Sequence, residues 1–122
     1  MTLLPPLFFA LILSVVDGDT VKVRAFIWLG QTVEISVRIA GIDTPELHGK
    51  CPREKKLAGE AKAALARLLP LNTIIELRHI EPDKYGRVLA FVATANNVDV
   101  AGELMKRGLA RSYSGKTRQG WC

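Results

Sequence analysis

Asp17, Asp19, Arg38, Asp43, Glu46 and Arg87 are residues whose types and spacing could do chemistry. Arg38 is followed within eight residues by Asp43 and Glu46, in the run Val37-Arg38-Ile39-Ala40-Gly41-Ile42-Asp43-Thr44-Pro45-Glu46. A cation and two carboxylates this close suit a site that handles a phosphate and a metal. The competing reading is a surface strand that ends in a solvated Asp-Thr-Pro turn, since Asp and Pro are ordinary turn residues. Two further stretches weigh against it. In Val15-Val16-Asp17-Gly18-Asp19-Thr20-Val21 the Asp-Gly pair is a strong hairpin signal, and a second aspartate follows that the turn does not need. Asp83-Lys84-Tyr85-Gly86-Arg87 is a polar turn that opens an apolar strand and carries another arginine.

These groups must be held by a frame. Val33, Ile35, Val37 and Ile39 alternate with Glu34, Ser36 and Arg38, a period-2 pattern with one buried face, so Arg38 points to the other. Gly41 loosens the backbone after it, and Pro45 closes off further pairing. Upstream, Val21, Val23, Ala25 and Ile27 share a face against Lys22 and Arg24, which predicts an antiparallel meander of three strands. Asn72 to Ile80 reads as a fourth strand and Val88 to Thr94 as a fifth. Between strands three and four, Leu57, Ala61, Ala64, Leu65 and Leu68 recur at helical spacing up to Pro70, with Lys55, Lys56, Lys62 and Arg67 on the solvated face. Asp99 can cap a second helix over Val100 to Arg107, with Val100, Leu104 and Met105 inward and Gly108 as its left-handed end. Five short strands and two helices argue for a small barrel.

The chain has 122 residues, enough for one domain and too few for two. With 48% hydrophobic and 24% charged residues it has a globular composition, which excludes a disordered chain. A net charge of +5 favours an anionic partner such as nucleic acid, though mildly. No internal repeat, linker or low-complexity run is present. Residues 1–13 carry no charged side chain and are too few to span a bilayer as a helix. They read either as the start of a first strand, Phe8 to Val16, or as a remnant like a secretory signal, ahead of a domain over residues 14–122. His48 has no second His or Cys pair nearby, so a zinc site is not expected.

Taken in order, VVDGDTV, VRIAGIDTPE and DKYGR resemble the thermonuclease family, the staphylococcal-nuclease-like proteins, and the resemblance runs from about Val15 to Tyr113. Each motif alone would be weak; their order and spacing are specific. The resemblance implies a mainly β, α+β fold: a five-stranded OB-fold barrel with two or more helices packed outside. It also implies a calcium-dependent endonuclease that cuts DNA and RNA with little sequence specificity and leaves 3′-phosphate ends. A non-catalytic nucleic-acid-binding OB-fold module is the alternative; it would not need Glu46 or the arginines. The first strand of the family is usually more polar than residues 1–13.

Phosphodiester hydrolysis needs an attacking water and neutralisation of the phosphate. Asp19 and Asp43, each at a strand end, are candidate ligands for Ca2+, a hard cation that takes oxygen donors. The resemblance adds the Thr44 carbonyl as a third ligand. Asp17 is expected to brace the turn or to stand behind the cation ligands. Glu46 could hold or deprotonate the water, and Arg38 and Arg87 are planar forks suited to phosphate oxygens. By resemblance, Lys84, Tyr85 and Tyr113 flank the bound nucleotide, although Tyr113 sits one residue off the family spacing after Gly108. An aromatic beside a basic groove would stack a base without reading its identity. A monomer with no stable membrane association is expected.

The ending Tyr113 to Cys122 has little periodicity, and a cysteine at the terminus with one other in the chain, Cys51, suggests a disulfide that pins the tail. Trp121 would then bury its ring against the first helix or the barrel. Two free thiols in a cytosolic protein are the alternative. A bridge would favour a secreted or periplasmic protein.

Overall fold

Val15 to Val21 turns on Gly18, and only glycine fits there. A Cβ at Gly18 would stand 2.7 Å from the Ala61 Cβ and 3.2 Å from the Thr44 hydroxyl. The turn is therefore pressed against both the first helix and the loop that carries Thr44. The computed structural model describes residues 7–115 and 117–122, with the backbone alone for Tyr85. The resemblance to signal sequences rests partly on residues 1–6, which lie outside the described residues.

Strands β1 (Leu7–Asp17), β2 (Thr20–Trp28) and β3 (Gln31–Ile39) form the antiparallel meander, with Thr20 paired to Arg38 and Val21 to Val37. β1 takes in the apolar run from Phe8 to Val16. After the two-residue β4 (Ile42–Asp43) comes helix α1 (Pro52–Leu68), then β5 (Ile74–Pro82), β6 (Val88–Thr94), helix α2 (Val100–Lys106) and the short β7 (Arg111–Ser112). The barrel closes in the order β1-β2-β3-β6-β5, and β4 pairs with β7 outside it. This is a closed five-stranded barrel with two helices, the OB-fold-like α+β architecture expected from the motifs.

The alternating strand residues Val21, Val23, Val37, Ile39, Ile75, Leu77 and Val92 are buried. Ala64 and Leu65 of α1 and Leu104 of α2 join them in one core. Each fully buried side chain of this size contributes about 1.5–3 kcal/mol. α1 starts where Cys51 caps it and Pro52 supplies a preset φ. It stops at Leu69, ahead of Pro70.

Several expected inward residues are not inward. Ile27 is 46% exposed because β2 bulges between Phe26 and Trp28 and outruns the barrel, leaving Trp28 and Leu29 in solvent. Val33, opposite Ala25 on the facing strand, is 41% exposed. In α2 Met105 faces outward and Leu104 alone carries that turn. Ala58, absent from the expected stripe, is buried, whereas Leu57 and Leu68 are half-buried. Asp99 precedes α2, but its side chain makes no capping bond. Gly108 has the left-handed φ expected of it, +71°.

Cys51 and Cys122 form the disulfide, across 71 positions. Trp121 is buried, with the Arg111 guanidinium 3.8 Å over its ring. Reduction should lower the unfolding free energy by up to about 4 kcal/mol, the chain-entropy value for a loop of this length. Urea melts with and without reductant measure the difference. Coincident midpoints, with both thiols shown free by alkylation after reduction, would mean the bridge constrains little.

Candidate active site

Three barrel strands deliver the charged groups to one end. The β2–β3 register places Arg38 opposite Thr20, and the Asp19 carbonyl accepts the Ile39 N–H at 2.8 Å. Arg38 Nη2 consequently lies 3.4 Å from Asp19 Oδ2 and 3.4 Å from the Ile42 carbonyl. β6 runs parallel to β3 with Val88 beside Val37, so Arg87, one residue earlier, arrives at the same end. Arg87 Nε donates to Asp83 Oδ2 at 2.7 Å, which aims the guanidinium. The Lys84 backbone N–H, then Arg87 and Arg38, hold the Asp83 carboxyl below the usual range against the opposing effect of burial.

Asp19, Arg38, Asp43, Thr44, Glu46, Arg87 and Tyr113 line one pocket of about 510 Å³. Lys84 lies in an adjoining groove of about 850 Å³ that shares Arg38, Glu46, Arg87 and Tyr113 with it. The Tyr85 side chain lies outside the described residues. The Arg38 guanidinium stands 5.9 Å from the Tyr113 ring, whose backbone N–H is bonded to the Gly41 carbonyl. Asp17 braces the turn by accepting the Asp19 N–H at 3.1 Å. His48 is exposed at the rim of the pocket.

Burial, followed by the neighbouring Asp17 side chain, pushes the Asp19 carboxyl up to about 6, with Arg38 and Thr20 pulling the other way. The folded protein therefore keeps a proton that the unfolded chain releases near pH 4, and stability falls as pH rises from about 4 to 6. Above that window the whole cost is present. Asp19→Asn removes it, so the variant should be more stable than the parent by about 1–3 kcal/mol at pH 7.5 and little changed at pH 4. Urea melts at both pH values, in chelator, check this. Equal stability at pH 7.5 would mean that the carboxylate is not strained by its surroundings.

Two residues that the sequence reading passed over shape the site. Glu54, in the first turn of α1, is buried and accepts the backbone N–H groups of Glu46 at 3.1 Å and Lys50 at 3.2 Å. The Glu46 bond, ahead of that from Lys50, holds its carboxyl below the usual range in spite of burial. Gly49 makes room, since a Cβ there would stand 2.5 Å from the Glu54 side chain. Cys51-Pro52-Arg53-Glu54 has the spacing of a capping box with a cysteine in the capping place, a signal that could have found it.

Arg118 is the second. Its Nε lies 2.6 Å from Asp43 Oδ1, Nη1 2.6 Å from Glu46 Oε1, and Nη2 3.0 Å from the Thr44 carbonyl. Trp121 Nε1 takes the other Asp43 oxygen at 3.2 Å. Burial lowers the proton affinity of Arg118, but Asp43, Glu46 and Glu54 outweigh it and hold the guanidinium above its ordinary value. A positive group on Asp43 and the Thr44 carbonyl fits the all-oxygen chemistry of a hard-cation site. Among the described residues no three His, Cys, Asp or Glu side chains converge as a metal cluster, so two carboxylates and a carbonyl would need water to complete a shell.

Residues 36–120 match the family described as staphylococcal nuclease homologue. The chain is 30% identical over 115 residues to endonuclease Htp3 of Saprolegnia parasitica, a match taking in 84% of this chain and 54% of that protein. It is 34% identical over 90 residues to probable endonuclease LCL3 of Verticillium alfalfae (71% and 31%) and 37% identical over 90 residues to probable endonuclease lcl3 of Penicillium rubens (67% and 30%). The matches span about half of the first relative and under a third of each of the other two.

Proposed function

The chain belongs to the staphylococcal nuclease family, and on that premise we propose that it is a calcium-dependent endonuclease of DNA and RNA with little sequence specificity, leaving 3′-phosphate ends. The observation that carries this reading is the gathering of Asp19, Arg38, Asp43, Glu46 and Arg87 around one pocket.

Asp19, Asp43 and the Thr44 carbonyl would hold the cation. Bound there, it would draw negative charge from the attacked phosphate. Glu46 takes the proton of the attacking water, its loop fixed by the Glu54 carboxylate. Such base catalysis contributes about 10²–10⁴-fold. Arg38 and Arg87 offer forked donors to the equatorial oxygens as the phosphorus gains charge. Lys84 and Tyr85 flank the nucleotide, and Tyr113, set beside Arg38, offers a ring to a base. The tail disulfide supports an oxidising compartment, secreted or periplasmic, as the place of action. None of the helices among the described residues is long and apolar enough to cross a membrane.

Digestion of plasmid and total RNA with calcium, with magnesium and with chelator tests the reading. Cleavage of both substrates with calcium, abolished by chelator, is expected. Cleavage indifferent to chelator would remove the metal, and no cleavage under any cation would favour a binding module without turnover.

A further inference from the structure

We infer that Arg118 is a built-in competitor for the cation site: its guanidinium occupies oxygens of Asp43, Thr44 and Glu46 that a divalent cation and the attacking water would use, so the tail sets the cation affinity. This rests on the reading of Asp43 and Thr44 as cation ligands.

The geometry commits all three guanidinium nitrogens at once, to one carboxylate oxygen of Asp43, one of Glu46 and the Thr44 carbonyl. A second positive charge on the same Asp43 oxygen would lie beside the guanidinium in a partly buried setting, where like charges repel strongly. Arg118 and the cation are therefore alternatives, and the bond to Glu46 also ties up the group proposed to receive the proton of water.

Arg118 is not needed to dock the tail. β7 pairs Arg111 with Asp43 before it. After it, Arg111 Nη1 holds the Gly120 carbonyl at 2.6 Å, Trp121 is buried, and Cys122 is bonded to Cys51. Between these anchors Ser114, Gly115 and Thr117 to Gln119 are exposed. Such a loop can lift Arg118 away at little cost in buried surface while both ends stay fixed. The same anchoring makes its return intramolecular, with a high effective concentration.

The test is calorimetric titration of calcium chloride into the oxidised full chain, its Arg118→Ala variant, and Cys122→Ser. If the guanidinium holds the site nine-tenths of the time, the apparent cation affinity is reduced about tenfold, so Arg118→Ala should bind calcium about tenfold more tightly. Cys122→Ser should also bind more tightly, by less. Combined with Arg118→Ala it should add nothing, because both act through one contact. Arg118→Ala keeps the disulfide, so its result stands even if Cys122→Ser folds poorly. Unchanged or weaker calcium binding by Arg118→Ala would overturn the competition. Absence of calcium binding in every variant would instead overturn the cation reading and this inference with it.

Discussion

Glu46→Gln should lower turnover by about 10²–10⁴-fold while nucleic-acid binding survives. The substitution keeps the size of the side chain and removes its ability to take a proton, together with the charge that pairs with Arg118. Glu46 sits in a loop whose backbone is held from below by the buried Glu54, and its side chain is 61% exposed towards the groove. That combination suits a water activator once Arg118 lets it go: a fixed backbone, with a carboxylate that then faces the groove. Binding should persist because Arg38, Arg87 and Lys84, cations of the pocket and groove that do not bond Glu46, are untouched. Single-turnover cleavage with saturating calcium, set against the affinity of a non-cleavable oligonucleotide, separates the two effects. Activity within a few-fold of the parent would mean that Glu46 does not activate water.

Arg87→Ala should cost about 10²–10³-fold in kcat, with a much smaller change in KM. Its Nε is committed to Asp83, so the guanidinium is pre-aimed and its terminal nitrogens are what remain for phosphate. A donor fixed before the substrate arrives gains most when charge builds on the phosphoryl oxygens. Arg38 differs: it already lies against Asp19, the Ile42 carbonyl and the Tyr113 ring, and its loss would disturb those groups as well. Arg87→Lys tests the fork itself, since a lysine keeps the charge and loses the two-point geometry. An unchanged kcat with a raised KM in Arg87→Ala would place Arg87 in ground-state binding alone.

What could be read from the sequence follows the range of the forces involved. Alternation in Val21 to Ala25 and in Ile35 to Ile39 reports burial on one face, and those strands lie as expected. β6 has the bounds read from its apolar run, Val88 to Thr94. Alternation misleads where a strand leaves the barrel, as at Ile27, because the pattern persists after the surface it would pack on has ended. The parallel contact of β3 with β6 and the two-residue pairing of β4 with β7 depend on closure of the whole barrel and carry no local signal. Asp19, Arg38, Asp43, Glu46 and Arg87, which line one pocket, could be picked out as candidates because three short motifs carry them. Arg118 was not: it stands in an aperiodic tail, 72 to 75 positions from its partners, and looks like any surface arginine until the chain is folded. The disulfide was the one hint that the tail lies across the domain at all.

The most direct measurement is cleavage of a short single-stranded oligonucleotide by the oxidised chain in calcium, with the ends of the products identified by mass. Calcium-dependent products carrying 3′-phosphate and 5′-hydroxyl ends are predicted. Intact oligonucleotide at saturating calcium, or products with 5′-phosphate ends, would contradict the proposed chemistry.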